Sequence, residues 1–393
     1  MNIINARIFT MNDSDTIIEN GYIRVENGKI AEVGTMSDYI SNDSEVIDAK
    51  GANAYPGFID GHTHLGMFED GLCFEGDDGN ESTDPITPQL RAIDAVNPLD
   101  RCFSEALESG VTTVLTGPGS ANPIAGQIAA IKTYGKCIDK MIVSAPAAMK
   151  FALGENPKSV YNDKSQMPVT RMATAALIRE TLYKAKHYMQ EKAKAKADDE
   201  LDEPEYDAKC EALIPVLERK IPAHFHAHRA DDIFTAIRIA KEFKLDLVLV
   251  HATEGYMILD ELNEENIPVL AGPYMTDRSK PELKNLSRAA TGLMSQSGIE
   301  TAIITDHPET PIQFLPLTAA VAVREGMDEY ATVRAITSTA AKICRIYDRV
   351  GSLEVGKDAD IVLLESSPLD IMKKPKAVIA GGKLIKIQST YIR

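Results

Sequence analysis

Histidines at alternate positions are the residues of this sequence with the clearest capacity for chemistry. His62 and His64 form one such pair, and His224, His226 and His228 form a triplet with the same spacing. Side chains of a β-strand alternate between its two faces, so each set projects to one side of its strand. Several neutral imidazoles buried together are unfavourable unless a cation satisfies their ring nitrogens. We therefore predict a metal site built from these strands.

Two further ligand candidates end apolar runs elsewhere in the chain. His251 follows LDLVLV, and Asp306 follows TAIIT. If both runs are barrel strands, these residues lie at the carboxyl-terminal mouth, where barrel enzymes hold their catalytic groups. Imidazole and carboxylate donors suit one or two Zn²⁺ ions, and Fe²⁺, Mn²⁺ and Co²⁺ also accept this ligand set.

The elements that must position these residues follow from the order of the apolar runs. From Ala54 onward, short β-rich runs alternate with longer segments of helical period, which favours parallel strands joined by crossover helices. Because a closed barrel needs eight such strands, we predict an α/β fold, a (β/α)8 TIM barrel over residues 53–347. The predicted strands are YPGFIDGH (55–62), VTTVLT (111–116), MIVSA (141–145), AMKFAL (148–153), AHFHAH (223–228), LVLVH (247–251), IPVLAG (267–272) and TAIITD (301–306).

Both ends of the chain have a different pattern. Residues 3–49 and the tail place alternating apolar positions around Gly turns, which is typical of hairpins. We predict one small β-sandwich domain built from residues 1–52 and 348–393. A charged stretch of helical composition at about 184–217 is predicted to be a helical insertion before the fifth barrel strand.

Composition and charge narrow the classes of function. Apolar residues make up 44% and charged residues 25%, which is ordinary for a folded soluble domain. The net charge of −16 disfavours nucleic acids and anionic membranes as partners. The amino terminus lacks a signal-peptide pattern and no apolar run approaches ~18 residues, so we expect a cytoplasmic protein with a small-molecule substrate. The five scattered cysteines indicate neither a disulfide framework nor a thiolate zinc site.

Taken together, these motifs resemble the amidohydrolase superfamily, and the likeness runs nearly end to end. PGFIDGHTH, FHAHRADDI, VLVHATEG, TDHP and the tail GSLEVGKDADIVLL stand in the family's order. The sequence is most similar to the imidazolonepropionase-like branch, which includes metal-dependent Xaa-Pro dipeptidases. The resemblance implies a TIM-barrel hydrolase that cleaves an amide-type C–N bond with metal-bound hydroxide. It also implies a homo-oligomer.

The resemblance assigns roles to individual residues. Asp306 is both a ligand and the group that carries a proton from the attacking water to the leaving nitrogen. His228 contacts the substrate carbonyl, whereas His224 matches no ligand of the family and belongs to the core or to the residues behind the ligands. The implied metal ligands are His62, His64, His226, His251 and Asp306.

Two residues are candidates for the metal ligand from the fourth strand. Relatives with two metal ions use a carboxylated lysine at this position, and others use a glutamate. Lys150 resembles the bridging lysine of the dipeptidases if it is carboxylated, whereas Glu155 would bind without modification. A lysine paired with a neighbouring acid is the alternative for Lys150, and if neither residue reaches the metals the site holds one ion.

Residues after strands two, five and seven are expected to surround the metals. Arg229, Tyr274, Arg278 and Lys280 fall at the predicted mouth, where they could hold a substrate carboxylate. This favours an N-acyl amino acid, a dipeptide or a cyclic amide, although a salt bridge of Arg229 within its own loop is the alternative. The run GPGSANPIAGQ (117–127) lacks the Lys-Ser/Thr ending of a phosphate-binding loop, so we predict an active-site loop.

Two other functions remain open. An aminohydrolase, or deaminase, of the same superfamily uses the same metal frame, although HRADDI lacks the HxxE that such deaminases place after strand five. A non-catalytic metal-binding homologue is the second alternative. Retention of the whole implied ligand set argues against it.

Overall fold

The computed structural model describes residues 1–42, 45–70 and 73–385, and its strands belong to two separate sheets. Residues 386–393, which the sequence analysis assigns to the accessory domain, lie outside the described residues. Over the described ranges, no helix is both long enough and apolar enough to cross a membrane.

The smaller sheet joins both ends of the chain. Its strands are β1 (Asn2–Phe9), β2 (Ile17–Glu26), β3 (Lys29–Thr35), β4 (Val46–Asp48), β5 (Asn53–Pro56), β14 (Ile361–Leu364), β15 (Ala377–Ala380) and β16 (Lys383–Ile385). An apolar cluster that includes Ile3, Ile23 and Ile361 forms its core. Because β5 pairs with both β1 and β14, this sheet extends past the predicted domain boundary at residue 52.

The larger sheet confirms the predicted TIM-barrel fold class. Its strands follow one another in sequence order around a nearly closed barrel, and most neighbouring pairs are parallel. Alternate side chains therefore face the barrel interior and the surrounding helices. The barrel strands are β6 (Phe58–Thr63), β7 (Val111–Thr116), β8 (Ile124–Lys132), β9 (Ile142–Ala152), β10 (Ala223–Ala227), β11 (Leu247–His251), β12 (Val269–Ala271) and β13 (Thr301–Ile303).

The third and fourth predicted strands differ from the structure. The runs at 141–145 and 148–153 belong largely to one strand, β9, and the third position is taken by β8, which is antiparallel to both neighbours. The start of β8, which includes Gly126, lies in the run 117–127 that is predicted to be an active-site loop. Close packing requires this glycine, since a Cβ there would lie 2.7 Å from the main-chain oxygen of Leu90.

Helices cover the outside of the barrel. The predicted insertion contains the end of α3 and all of α4, which pack on each other through hydrogen bonds such as that from the Tyr188 hydroxyl to Glu211 at 2.6 Å. The helices are α1 (Arg101–Glu108), α2 (Glu155–Asn162), α3 (Arg171–Ala197), α4 (Ala208–Leu217), α5 (Ala230–Phe243), α6 (Leu259–Glu264), α7 (Ala290–Gln296), α8 (Leu315–Arg324), α9 (Glu329–Ala335) and α10 (Ser338–Ile343).

An apolar cluster fills the barrel and closes one of its ends. Inward side chains such as Ile59, Leu115 and Leu270 pack together, and Ala340 and Ile343 of α10 join the same cluster. This end is therefore plugged by apolar side chains. The polar groups of the strands are left to converge at the opposite, carboxyl-terminal end.

Ion pairs around Asp358 join the smaller sheet to the barrel. The carboxylate lies 2.5 Å from Lys29 of β3, 2.9 Å from Lys132 of β8 and 2.8 Å from Arg349, and its side chain is 6% exposed. Burial raises the pKa of Asp358, but Lys132, Lys29 and Arg349 outweigh burial and hold the pKa at about 2. Because the folded pKa is depressed, this contribution to stability is present above the ordinary value of 3.8 and is lost as the pH falls toward 2.

We expect Asp358→Asn to lower the free energy of unfolding by about 3 kcal/mol at pH 7, because it removes a buried carboxylate that pairs with three cations, of which Lys132 keeps Asp360 as a second partner. Urea titration followed by circular dichroism measures the change. Asp94→Asn is the matched control, since Asp94 forms an exposed pair with Arg91. A loss no larger than that of the control would contradict the joining role of Asp358.

Candidate metal centre

The carboxyl end of β6 is fixed to the segment that follows β13. Asp60 of β6 accepts hydrogen bonds at Oδ2 from the main-chain nitrogen of Thr305 at 3.0 Å and from its hydroxyl at 2.6 Å. Burial raises the pKa of the fully buried Asp60 to about 7. These bonds set His62 of β6, and His64 just after the strand ends, against Asp306, the neighbour of Thr305.

His62, His64 and Asp306 form the first ligand group. Oδ1 of Asp306 lies 3.4 Å from Nε2 of His62 and 3.3 Å from Nε2 of His64. Ligand atoms about 2.0–2.1 Å from a tetrahedral Zn²⁺ ion lie about 3.3–3.4 Å apart, so Oδ1 could share an ion with either imidazole. The ligand atoms of His62, His251 and Asp306 also lie within 4.8 Å of one another. Within the described chain Oδ1 is buried and makes no hydrogen bond, which is a further property of a ligand atom.

His226, His228 and His251 form a histidine triad beside the first ligand group. Their ring centroids are 4.7 Å apart for His226 and His228, and 4.5 Å apart for each of the other two pairs. Ligand nitrogens of all three lie within 4.8 Å of one another. The triad can therefore surround a second cation.

Hydrogen bonds at Nδ1 orient these rings. A carbonyl oxygen can only accept, so Nδ1 of His64 and His251 carries the proton and Nε2 is left as a free lone pair for a metal. The other two rings contact hydroxyls at Nδ1, and a hydroxyl can either donate or accept. The contacts are His64 with Gly117 O (2.7 Å), His226 with Ser120 Oγ (2.9 Å), His228 with Thr253 Oγ1 (2.6 Å) and His251 with Gly272 O (2.6 Å).

The backbone at the end of β11 turns His251 toward the mouth. Val248 and Val250 face the barrel interior and Leu249 faces the helices, so simple alternation would direct His251 outward. His251 instead has φ +74°, a left-handed conformation that costs on the order of 1–3 kcal/mol in a residue other than glycine. The strained main-chain conformation therefore lies at a candidate metal ligand, His251.

Burial keeps the ligands in the forms that bind metals. It lowers the pKa of His62, His226 and His228 well below the ordinary value, and that of His251 to about 4. These imidazoles are therefore neutral at neutral pH, as metal ligation requires.

Of the two fourth-strand candidates, the structure brings Lys150 to the ligands. Its Nζ lies 3.0 Å from Nε2 of His62, and the side chain is fully buried. Burial lowers the pKa of Lys150 to about 8, so a fraction of the amine is neutral at neutral pH. Glu155 begins α2 instead, and its carboxylate faces the main-chain nitrogen of Glu282 at 3.4 Å.

His224 lies below the triad on β10 and is completely buried. Among the described residues neither of its ring nitrogens has a hydrogen-bond partner, and burial lowers its pKa to about 3. This agrees with the expectation of a residue in the core or behind the ligands.

The metal centre opens into a cavity of about 390 Å³. Its lining includes His64, His228 and Asp306 at the floor and Lys280 above them. Gly119 and Ser120 also line it, as expected for the loop that begins at Gly117. A larger cavity, of about 610 Å³, lies at the amino-terminal ends of the barrel strands, away from the histidines.

Three residues predicted to bind the substrate have other partners. Arg229 pairs with Asp231 at 2.8 Å, which is the alternative that its sequence allows. The buried Tyr274 hydroxyl donates to the main-chain oxygen of Thr318 at 2.6 Å, and Arg278 donates to that of Leu286 at 2.8 Å. None of the three is among the residues that line the cavity. Of the predicted cations only Lys280 is placed there.

Glu282 is the residue of this centre that the sequence analysis missed. It lies in the short turn Pro281–Leu283 after β12 and is 1% exposed. Its Oε1 is 3.7 Å from Nε2 of His228 and 3.9 Å from Nε2 of His226. No spacing pattern marks this glutamate, because it lies outside every strand.

Comparison with known proteins places this geometry in a family. Residues 53–385 match the model of the amidohydrolase family. The chain belongs to that family. A crystal structure of an amidohydrolase from Thermotoga maritima MSB8 is 42% identical, has a TM-score of 0.93, and is matched over 98% of this chain and 99% of that one.

Two curated relatives carry the names of different activities. Amidohydrolase tasK of Hapsidospora irregularis is 28% identical over 387 residues, which is 92% of this chain but only 39% of that longer protein. A 5-methylthioadenosine/S-adenosylhomocysteine deaminase of Bacillus cereus is 26% identical over 97% of this chain and 90% of its own. The family thus includes hydrolysis of more than one kind of C–N bond.

We expect Ser120→Ala to weaken Zn²⁺ binding about 10–100-fold, the usual effect of removing a contact that orients a metal-binding imidazole. The substitution frees Nδ1 of His226. Competition with a fluorescent chelator measures the dissociation constants, and Ser104→Ala on the exposed face of α1 is the control. Unchanged affinity in Ser120→Ala would contradict the orienting role.

Proposed function

We propose that this amidohydrolase cleaves the amide-type C–N bond of a small carboxylate-bearing substrate, such as an N-acyl amino acid, a dipeptide or a cyclic amide. The supporting observation is the first ligand group, in which Oδ1 of Asp306 lies 3.3–3.4 Å from the Nε2 atoms of His62 and His64, beside the 390 Å³ cavity. Three protein ligands leave an open coordination position, which is the arrangement of catalytic sites. A cation bound there lowers the pKa of water and polarises a carbonyl oxygen.

Asp306 is placed to move the proton in this reaction. Its Oδ1 is in contact with the ligand nitrogens, and the residue also lines the cavity. Asp306 takes a proton from water as the water oxygen bonds to the carbonyl carbon. It then gives that proton to the nitrogen as the C–N bond breaks, which yields a carboxylic acid and an amine.

Lys280 is the cation best placed to hold a substrate carboxylate. Its Nζ lies 3.0 Å from the amide oxygen of Asn156 and 3.0 Å from Oε1 of Glu282, and the side chain is 28% exposed. A partly exposed ammonium at the cavity wall can bind an anion without a full loss of hydration. Arg229 and Arg278 pair within their own loops as well, but neither lines the cavity.

A substrate screen tests the proposed reaction. Zn²⁺- and Mn²⁺-loaded protein is incubated with N-acyl amino acids, Xaa-Pro and other dipeptides, lactams, imidazolone-type rings and adenosine derivatives. Release of a carboxylic acid together with an amine supports the proposal. Release of ammonia from the adenosine derivatives alone would favour the deaminase alternative. The similarity to the Bacillus cereus deaminase supports testing this alternative. No turnover by metal-loaded protein would favour a non-catalytic homologue.

We expect Asp306→Asn to keep the fold and to lower kcat by about 10²–10⁴-fold, because proton transfer by a positioned group contributes that much. Steady-state kinetics on the best substrate of the screen measure the loss. Metal analysis of the same samples separates a loss of proton transfer from a loss of the cation. Asp277→Asn, at an exposed position after β12, is the control. Near-normal turnover in Asp306→Asn would refute the assigned role.

We expect Lys280→Met to raise KM for a carboxylate substrate about 10–100-fold, because a hydrogen bond to a charged group contributes about 1.5–3 kcal/mol. KM for the same compound with its carboxylate converted to a primary amide should not rise. Arg229→Met is the matched control and should leave both values near those of the wild type. An equal rise for the acid and the amide would exclude carboxylate recognition by Lys280.

A further inference from the structure

We propose that Phe68 forms the wall of a subsite for an apolar acyl group, so that the substrate is an N-acyl amino acid with a hydrocarbon acyl chain. This inference rests on the proposed function and narrows its substrate class. Its tests measure ligand binding as well as turnover, and they probe the two ends of the substrate separately.

Phe68 lies in the loop after β6, four residues beyond His64, and its half-buried side chain lines the cavity. Its ring meets that of His64 edge-on, with the ring centroids 5.6 Å apart and an angle of 78° between the planes. His64 in turn contacts Asp306, the group proposed to move the proton. The group attached to the reacting carbonyl carbon is therefore expected beside Phe68, where an aromatic surface favours hydrocarbon.

The main chain holds Phe68 from both sides. The nitrogen of Glu69 donates to the oxygen of Gly76 at 2.7 Å, and the nitrogen of Asp78 donates to the oxygen of Met67 at 2.9 Å. These bonds close a short antiparallel bridge at Phe68. A ring on a main chain that is already fixed loses little freedom when a ligand packs against it.

Gly79 leaves room for the ring of Phe68. A Cβ at residue 79 would lie 2.0 Å from Cζ of Phe68, much closer than atoms that are not bonded can approach. Gly79 does not have a left-handed main-chain conformation, so the contact with the ring is what disfavours a side chain there. The position of the Phe68 ring therefore depends on the absence of a side chain at residue 79.

Lys280 lies on a different side of the barrel mouth. β6 and β13 end side by side, because the main-chain nitrogen of His64 donates to the main-chain oxygen of His307 at 2.8 Å. Lys280 instead contacts Asn156 of α2, which follows β9, and β9 is separated from β6 by β7 and β8. Phe68 and Lys280 therefore bound the cavity from different sides.

The chemistry of these two sides matches the two ends of an N-acyl amino acid. Pro308, which follows the end of β13, adds a second apolar side chain to the cavity wall. In an N-acyl amino acid the carboxylate belongs to the part that leaves as the amine, and the acyl group ends in hydrocarbon. A carboxylate at Lys280 therefore places the acyl group at Phe68, with the amide bond between them. A dipeptide would bring its ammonium group against this apolar surface and lose part of its hydration.

A series of N-acylglycines tests the subsite. We expect kcat/KM of the zinc-loaded wild type to rise about 10-fold from acetylglycine to butanoylglycine, since each buried methylene contributes about fourfold. In Phe68→Ala the rise should fall below about 3-fold, because the surface that buries the added methylenes is lost. Phe74→Ala is the matched control and should keep the full rise, since Phe74 belongs to the same loop but is 91% exposed. Lys280→Met should lower kcat/KM of both compounds by the same factor.

Gly79→Ala displaces the ring without removing it, and it also provides a test if Phe68→Ala does not fold. The substitution should reduce the preference for butanoylglycine in the wild type but leave that of Phe68→Ala unchanged. Two residues that act through one contact show such coupling in a double-mutant cycle. Independent, additive losses would show that Gly79 acts other than through the ring, and would overturn the role assigned to Phe68.

Titration calorimetry with the same acylglycines separates failure of the subsite from failure of the proposed function. Tighter binding of the longer acyl chain by the wild type but not by Phe68→Ala, with no hydrolysis of any amide, would overturn the proposed function and keep the subsite. Hydrolysis with an equal acyl preference in the wild type and Phe68→Ala would overturn the subsite alone. No preference for the longer chain in either assay would overturn the subsite as well.

Discussion

The burial of several imidazoles with two carboxylates at one end of a barrel is the constraint on which the rest of this structure depends. Neutral rings cannot balance the charge of Asp306, although Lys280 pairs with Glu282 at 3.0 Å. The Lys150 amine beside His62 is itself largely desolvated. Divalent cations that shared its lone pairs would stabilise such a set. The apolar plug at the other end of the barrel contributes by leaving the mouth as the place where polar side chains can gather.

The scaffold controls this centre mainly through main-chain atoms. Carbonyl oxygens of Gly117 and Gly272 each fix one imidazole, and a carbonyl cannot change its role as an acceptor. The tautomer of each ring is therefore set by the fold rather than by the metal. Asp60 works in the same way, because its contacts with Thr305 define where Asp306 lies relative to His62. A preformed centre of this kind needs little rearrangement to bind a cation.

The features that could be predicted from the sequence are those that depend on local periodicity. The alternation of β-strands places His62 with His64 and His226 with His228, and the apolar runs before His251 and Asp306 place both at strand ends. The sequence could not predict β8, because Gly126 has the character of a loop residue until its contact with Leu90 is known. Nor could it predict Glu282, whose approach to the triad depends on the path of a loop.

The same loop explains why the predicted arginines were the wrong cations for the cavity. Arg229 and Arg278 have acceptors two and eight residues away, so their planar guanidinium groups are satisfied locally. Lys280 has no such acceptor in its own loop except Glu282, and the buried carboxylate draws the ammonium to the cavity wall.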